Sequence, residues 1–358
     1  MSRIVFIGLT ITSSWGNGHA TTYRALIKAL SRRGHQVTFL ERDVPWYRDN
    51  RDFQRSRYCR VLLYRELDDL KKFAPLVRDA DAVIVGSYVP DGIAVGEWVT
   101  ATAQGITAFY DIDTPVTLKA LEGRSCEYLN DNLIAAYDVY LSFTGGPALE
   151  HLRSLGSPCP AALYCSVDPE FHAPVATRNR WRLGYLGTYA TDRQPALERM
   201  LLEPARALPN ARFAVAGPQY PEDICWPDNV EYISHLPPER HPAFYCGQNF
   251  ALNLTRADMR VLGFSPSVRL FEAASCGVPI ISDPWDGLET VFKPDREILL
   301  AETAEDVLHH LDAITPAKRR AIAEAARARV LAAHTSHHRA QELETILRMA
   351  SPKVAGAA

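Results

Sequence analysis

Gly263-Phe-Ser-Pro-Ser-Val-Arg-Leu-Phe-Glu-Ala-Ala-Ser-Cys-Gly-Val-Pro-Ile-Ile-Ser-Asp283 carries the densest local signal in the chain. Ser265 or Ser267 offers a hydroxyl to the first amides of a helix, and Gly277 offers the stop that closes it. Val278–Ser282 then reads as a buried strand. The start of such a helix is an anion site with hydroxyls attached. Arg269 falls in the first turn, against the helix dipole, a placement that suggests a bound anion such as a diphosphate. Glu272 follows three positions on, nearly on the same face. It either accepts hydrogen bonds from a ribose diol or pairs internally with Arg269. Gly287 and Leu288, a few residues beyond, join Ser265, Ser267, Arg269 and Glu272 as candidate substrate-binding residues.

The alternation of helix and apolar strand extends outward from this stretch almost to both ends. Upstream, strands are expected at Ile4–Leu9, Gln36–Glu41, Asp81–Gly86, Ile106–Tyr110, Asp138–Phe143 and Ala161–Tyr164. Helical patterns such as Thr21–Arg33, Leu67–Arg78 and Asp91–Gln104 lie between them. After a polar, proline-containing linker, Ala173–Arg180, the rhythm restarts with strands Arg182–Gly187, Arg212–Ala216, Asn249–Leu254, Val278–Ser282 and Glu297–Leu300. Helices are expected at Gln194–Ala207, Ser267–Cys276, Ala304–Leu311 and Pro316–Ala333. Continuous apolar strands separated by helices mean parallel sheets covered on both faces. The fold class is therefore α/β, with two doubly wound Rossmann-like domains facing a central cleft. Ligands in such sheets bind at the carboxyl ends of the strands. The expected division is 1–172, 181–333, and a last helix with its tail, 334–358, the end of which (Val354–Ala358) should fray.

Composition narrows the function classes. The chain has 358 residues, 47% apolar and 23% charged, with 39 basic against 42 acidic side chains. That is the balance of a globular protein, without the basic surplus of a nucleic-acid binder. Seven cysteines at scattered spacings, with no C-x-x-C pair, suggest neither a zinc ribbon nor a disulfide framework, and a reducing cytoplasm fits them. Arg3–Leu9 is too short for a secretory core and reads as a first strand, and no run approaches the length of a membrane span. His334, His337 and His338 sit in the last helical pattern, where a solvated helix explains them without a metal.

Three further motifs carry chemistry. Trp15-Gly-Asn-Gly-His19 follows the first strand, and Gly16 and Gly18 would let backbone amides approach a bound group. A dinucleotide site, with Glu41 on the ribose, is the alternative; against it, Thr21 replaces the third glycine and the turn is too long. Tyr110-Asp-Ile-Asp-Thr-Pro115 ends another strand, and on an extended segment Asp111 and Asp113 would point the same way. They hold a metal, activate a hydroxyl or hydrogen-bond a sugar; otherwise they are turn chemistry, with Asp113 capping the next helix. Gly187-Thr-Tyr-Ala-Thr-Asp-Arg193 opens the second half, and its glycine, hydroxyls and arginine at a strand-to-helix turn offer a second phosphate grip. Trp15 and Trp46 either stack on a planar group or pack in the core.

These residues resemble the GT-B glycosyltransferases, in the branch around the large retaining family four and the CgeB-like proteins. The Ser-Pro-Ser-Val-Arg-Leu-Phe-Glu-Ala-Ala-Ser-Cys-Gly segment is similar to that group's donor-site helix. Leu163–Phe171 resembles the segment leading into its interdomain linker, Val215–Pro218 a strand end, and Arg329–Thr335 the start of a last helix that crosses back to the first domain. The resemblance implies that Glu272 binds the donor ribose as the second Glu of a Glu-x7-Glu pair, the first position being Phe264 here. It places the two cations on the donor phosphates at Thr188 and Arg193, so that only Arg193 is kept, with Arg269 as the replacement. It sets Gly16 and Gly18 beside the diphosphate, and Asp111 near a histidine that touches the transferred sugar.

The expectation is transfer of a hexose-type sugar from a nucleoside-diphosphate sugar, metal-independent and retaining, with no cofactor. Asp111, Asp113 and His19 are the catalytic candidates, and Gly16, Gly18 and Arg193 join the substrate set. No metal ligand is assigned. The acceptor is a small molecule, glycan or protein that the sequence does not name. Alternatives are a non-hydrolysing sugar-nucleotide epimerase and a non-catalytic sugar-nucleotide-binding protein.

Overall fold

The computed structural model describes residues 1–16, 18–53 and 55–350. Asn17 of the glycine loop and the expected frayed tail lie outside them. The chain forms two compact units, Met1–Cys165 with the helix Ser336–Met349, and Ser166–Thr335. The segment 173–180 lies within the second unit.

The first unit is built on seven parallel strands: β1 (Arg3–Gly8), β2 (Gln36–Arg42), β3 (Arg60–Tyr64), β4 (Ala82–Gly86), β5 (Ile106–Asp111), β6 (Val139–Ser142) and β7 (Pro160–Ala162). Their order is β3-β2-β1-β4-β5-β6-β7, so the winding reverses between β1 and β4. Ile4, Val5, Phe6 and Ile7 are all buried, as the unbroken apolar run of β1 requires for a strand covered on both faces. At the reversal, Tyr23 of the helix His19–Arg32 fills the space over two glycines. A Cβ on Gly86 would stand 2.0 Å from the Tyr23 hydroxyl, and one on Gly8 would stand 2.4 Å from the Phe39 ring.

The C-terminal helix Ser336–Met349 packs against His19–Arg32. Its clamp is Glu344: Arg33 donates Nε to Oε1 at 2.5 Å and Nη2 to Oε2 at 2.7 Å, and His35 Nε2 lies 2.8 Å from Oε1. The two-pronged guanidinium holds the Glu344 carboxyl down at about 2.

The second unit carries β8 (Trp181–Leu186), β9 (Phe213–Ala216), β10 (Val230–Ile233), β11 (Gln248–Asn253), β12 (Ile280–Ser282) and β13 (Leu299–Leu300). The order is β10-β9-β8-β11-β12-β13, all parallel, with the reversal between β8 and β11. Leu183, Phe213, Val215, Phe250, Leu252 and Ile281 form its core with Met200 and Leu201.

Two helices differ from their expected form, each for a proline. Leu67–Arg78 breaks into Leu67–Lys71 and Ala74–Arg78, because Pro75 has no N–H to continue the first piece. Gln194–Ala207 runs through a π turn, Glu198–Leu202, directly before Pro204, and there the Glu203 N–H reaches back to the Glu198 carbonyl. The edge strands β3 and β10 were not expected from the sequence.

Candidate functional site

In the first unit, the start of the helix after β1 and the carboxyl ends of β4 and β5 bring His19, Tyr88 and Asp113 together. Tyr88 donates its hydroxyl to Asp113 Oδ2 at 3.0 Å, and His19 Nε2 lies 4.0 Å from the same oxygen. The His19 and Tyr88 rings lie 5.5 Å apart. Burial lowers the His19 imidazole against the opposing pull of Asp113, which favours the neutral ring. Tyr88 stands directly after β4 at φ +65°, a backbone conformation that L-residues avoid and that tends to survive where it positions a functional group. Asp113 does occupy the cap position of the helix Thr114–Glu122, but its side chain makes no cap hydrogen bond. The carboxylate goes to Tyr88 instead.

Asp111 does not share this cluster, and the expectation that both carboxylates point the same way is corrected. The chain turns after β5, and Asp111 Oδ1 accepts the Asp113 amide at 3.2 Å and the Thr117 hydroxyl at 2.9 Å. Its Oδ2 accepts the Tyr140 hydroxyl at 2.6 Å. The side chain is completely buried, and burial raises its carboxyl to about 6. A carboxylate so enclosed braces the end of β5.

The glycine loop is split in its demands. Gly16 has φ +67° and so needs glycine, whereas Gly18, the cap of His19–Arg32, is exposed and a Cβ there would meet nothing within 4 Å. Glu41, the acid that a dinucleotide reading would place on a ribose, is fully buried. It accepts the Ile11 and Thr12 amides at 2.7 and 3.0 Å and the Thr12 hydroxyl at 2.5 Å. It ties down the turn after β1 and, fully buried, presents no open oxygen to a diol. Trp46 is 52% exposed beside Tyr47, and is free to stack on a ligand in a way a core tryptophan is not.

In the second unit, Ser267 caps the helix Val268–Ser275 by accepting the Arg269 amide. Arg269 lies at the strand reversal, 6% exposed, where it joins the ends of two strands. Its Nε donates to the Leu186 carbonyl, Nη1 to Asn253 Oδ1 at 2.9 Å and Nη2 to the Tyr185 hydroxyl at 3.4 Å. The guanidinium carbon lies 4.5 Å over the Tyr185 ring. These acceptors explain a cation in the first turn without a bound anion, which corrects the sequence argument for one. The charge is nonetheless fixed at the carboxyl edge of the sheet. Arg193 stands at the next helix start, with Nη2 donating to the Thr188 carbonyl at 2.8 Å and a buried Nε that has no hydrogen-bond partner among the described residues.

Glu272 neither pairs with Arg269 nor lies open. It is 4% exposed, with the Tyr245 hydroxyl 2.9 Å from Oε2, His172 Nε2 3.4 Å from Oε1 and His241 Nδ1 4.0 Å from Oε2. Burial pushes the Glu272 carboxyl up.

The loops after β11 and β12 brace each other. Gly263 and Phe264 both have positive φ, and the Phe264 amide donates to the Asp286 carbonyl at 2.6 Å. Gly287, at φ +88°, lies against the Phe264 ring, where a Cβ would come within 2.4 Å. Ser265 is buried beside them. Adjoining Gly287 is a cavity of about 620 Å³ lined by Arg260, Val261, Trp285, Asp286 and Leu288 among others. Trp285 Nε1 is buried with no partner among the described residues. An aromatic ring with an N–H, a carboxylate and a guanidinium around a concave space is the chemistry that grips a sugar. Sequence reading identified Gly287 and Leu288 here but missed Arg260, Trp285 and Asp286. The Asp-Pro-Trp-Asp run after a strand was the available signal.

His334 stacks on Phe271 with centroids 5.0 Å apart, as part of the second unit's packing. The three histidines of the last helical pattern do not form a common metal-binding group among the described residues.

Two wound parallel sheets in one chain, each with a cluster of polar side chains at its carboxyl edge, define a GT-B-like architecture. The comparisons agree. The family described as glycosyl transferase-like matches residues 193–345. Sucrose-phosphate synthase from Thermosynechococcus elongatus superposes with a TM-score of 0.71 at 16% identity, over 98% of this chain and 99% of that one. An alpha-glucosyltransferase in complex with UDP gives 0.73 at 12%, over 97% and 100%. Anabaena HepE in complex with UDP-glucose gives 0.70 at 10%, over 98% and 100%. Among curated proteins, none matches. The fold is thus that of the GT-B glycosyltransferases, two Rossmann-like α/β domains, and the second unit is similar to a glycosyl transferase-like family. Among the described residues, no helix is long and apolar enough to cross a membrane.

Proposed function

We propose that this chain is a glycosyltransferase that moves a hexose from a nucleoside-diphosphate sugar to an acceptor, with retention and without a catalytic metal. The observation that carries the reading is Arg193, a guanidinium at the helix start after β8 whose buried Nε has no hydrogen-bond partner among the described residues, at the head of the segment similar to a glycosyl transferase-like family. The diphosphate lies along Arg193, Ser265, Ser267 and Gly287, over the fixed charge of Arg269. Charge building on the departing diphosphate then meets preorganised donors that need no rearrangement. The sugar occupies the cavity beside Leu288, with Trp285 and Asp286 against it.

Two features support the finer points. Asp111 is enclosed by Tyr140 and Thr117, so the Asp-x-Asp pair cannot clamp a metal between its carboxylates. Asp113 is engaged by Tyr88, which suits a group that orients a substrate through His19 better than a free base for inversion. In retention the leaving diphosphate takes the acceptor proton, and no such base is required.

The test begins with UDP-glucose, since HepE was solved with it. The expected results are slow release of UDP without acceptor, faster release with a matching acceptor, and an anomeric configuration kept in the product by NMR. Arg193→Ala should raise the donor KM about tenfold, the value of one charge-assisted contact. Epimerised donor, formed with no acceptor present, would make the chain an epimerase. Tight nucleotide binding with neither transfer nor hydrolysis, across a panel of nucleoside-diphosphate sugars, would make it a binding protein.

A further inference from the structure

Inside the second unit, three segments converge on one small buried space. His172 comes just before the segment that leads to β8, His241 opens the helix His241–Cys246, and Glu272 belongs to Val268–Ser275. One imidazole nitrogen from each histidine and a carboxylate oxygen all lie within 4.8 Å of one another. His172 is 3% exposed, yet neither of its ring nitrogens has a hydrogen-bond partner among the described residues. His241 Nδ1 likewise has none. The 3.4 Å approach of His172 Nε2 to Glu272 is an ion-pair distance without hydrogen-bond direction.

The surroundings already orient these groups. His241 Nε2 faces the Leu236 carbonyl at 3.2 Å, which fixes the proton on Nε2 and leaves the Nδ1 lone pair toward Glu272. Tyr245 donates to Glu272 Oε2 at 2.9 Å and sets the plane of the carboxylate. Buried nitrogens with no partner and outer groups that fix ring and carboxylate are the two marks of a metal-ligand set.

We infer that His172, His241 and Glu272 bind one divalent transition-metal ion of the zinc class. Two imidazoles and one carboxylate suit a borderline-soft ion, whereas magnesium and calcium take oxygen ligands. Ligands about 2.1 Å from a tetrahedral ion stand roughly 3.4 Å apart. Glu272 approaches His172 through Oε1 at 3.4 Å and His241 through Oε2 at 4.0 Å, in a set of ligand atoms within 4.8 Å of one another, so side-chain rotations close it on an ion. With three protein ligands the fourth position of the tetrahedron falls to a water, and the ion acts as a clip. It fastens the segment around His172 to two helices, at a place where the Ser275 hydroxyl already donates to the His172 carbonyl and Arg327 donates to the Ser275 carbonyl at 3.1 Å. It plays no part in the proposed transfer chemistry, so its failure leaves that reading standing.

The test uses the full chain, purified without a polyhistidine tag or chelator, with elemental analysis by mass spectrometry. The expected content is about one zinc per chain. Removal by a strong chelator should lower the melting temperature, and cobalt(II) added to the stripped protein should give the visible absorption of a tetrahedral site. His172→Ala and His241→Ala should each lose at least nine-tenths of the metal, while His309→Ala, at an exposed position, keeps it. Because the zinc content and cobalt spectrum are read on the unaltered chain, poor folding of a variant does not protect the proposal. Less than about a tenth of an equivalent of zinc, together with no cobalt spectrum, would overturn it. So would a Glu272→Gln variant that loses UDP affinity in a protein whose unaltered form takes up no zinc, since the carboxylate would then serve a nucleotide.

Discussion

Asparagine at Asp111 and at Asp113, one at a time, separates the bracing carboxylate from the working one. Burial raises the Asp111 carboxyl from 3.8 to about 6, despite three hydrogen bonds that favour its charge. That displacement amounts to about 3 kcal/mol against the ionised form. The folded state thus holds this proton more tightly than the unfolded chain does. Its contribution to stability is fully present below about pH 3.8, declines as pH rises toward 6, and is lost above that. Asp111→Asn removes the titration. The amide still accepts from Tyr140 but turns a donor toward Thr117 or the Asp113 amide, at a cost of about 1–3 kcal/mol. Near neutral pH the relief matches or exceeds the cost; near pH 4 the cost stands alone. Scanning calorimetry should therefore place the variant level with or above the parent at pH 7.5 and about 2–12 °C below it at pH 4. Turnover in the same variant should stay within about threefold, while Asp113→Asn loses about 10–100-fold through the misplaced His19 and Tyr88. A stability gap that does not change with pH, or an Asp111 variant slower than the Asp113 variant, would refute the reasoning.

Glu344→Gln should lower the melting of the first unit by about 2–6 °C at pH 7, from about 1–2 kcal/mol after allowance for solvent screening, and leave the second unit's transition in place. Because Arg33 and His35 hold this carboxyl near 2, its stabilisation is present above about 4.5 and fades as pH falls toward 2, so calorimetry of parent and variant should converge in acid. Trp285→Phe keeps the ring and removes the N–H; steady-state kinetics should show a donor KM raised up to about tenfold with kcat nearly unchanged, and an unchanged KM would remove the sugar from that cavity.

Much of the fold could be read from the chain because its central strands are apolar without interruption. β1, β4 and β5 lie in the middle of the first sheet, and every one of their residues from Ile4 to Gly8, Ala82 to Gly86 and Ile106 to Asp111 is buried. The edge strands β3 and β10 escaped notice for the same physical reason. In β3, Leu63 is 41% exposed among arginines, and in β10 only Val230 is buried, so neither shows a continuous apolar run. At the site, local rules found Ser267 as a cap and Asp113 at a strand end. They could not tell which carboxylate is enclosed, because Tyr140 lies 29 residues from Asp111 in sequence. His172, His241 and Glu272 were beyond such reading altogether: three segments must fold together before their nitrogens and oxygens share a space.

The clamp at Glu344 also bears on the order in which the protein is made. The first unit takes its closing helix from the far end of the chain, after the whole second unit has been synthesised. While the ribosome is still working, the face of His19–Arg32 that will receive the helix Ser336–Met349 has no cover. A fragment stopped at residue 165 would carry that bare face permanently, so the excised first unit is best produced with residues 336–349 joined back to it.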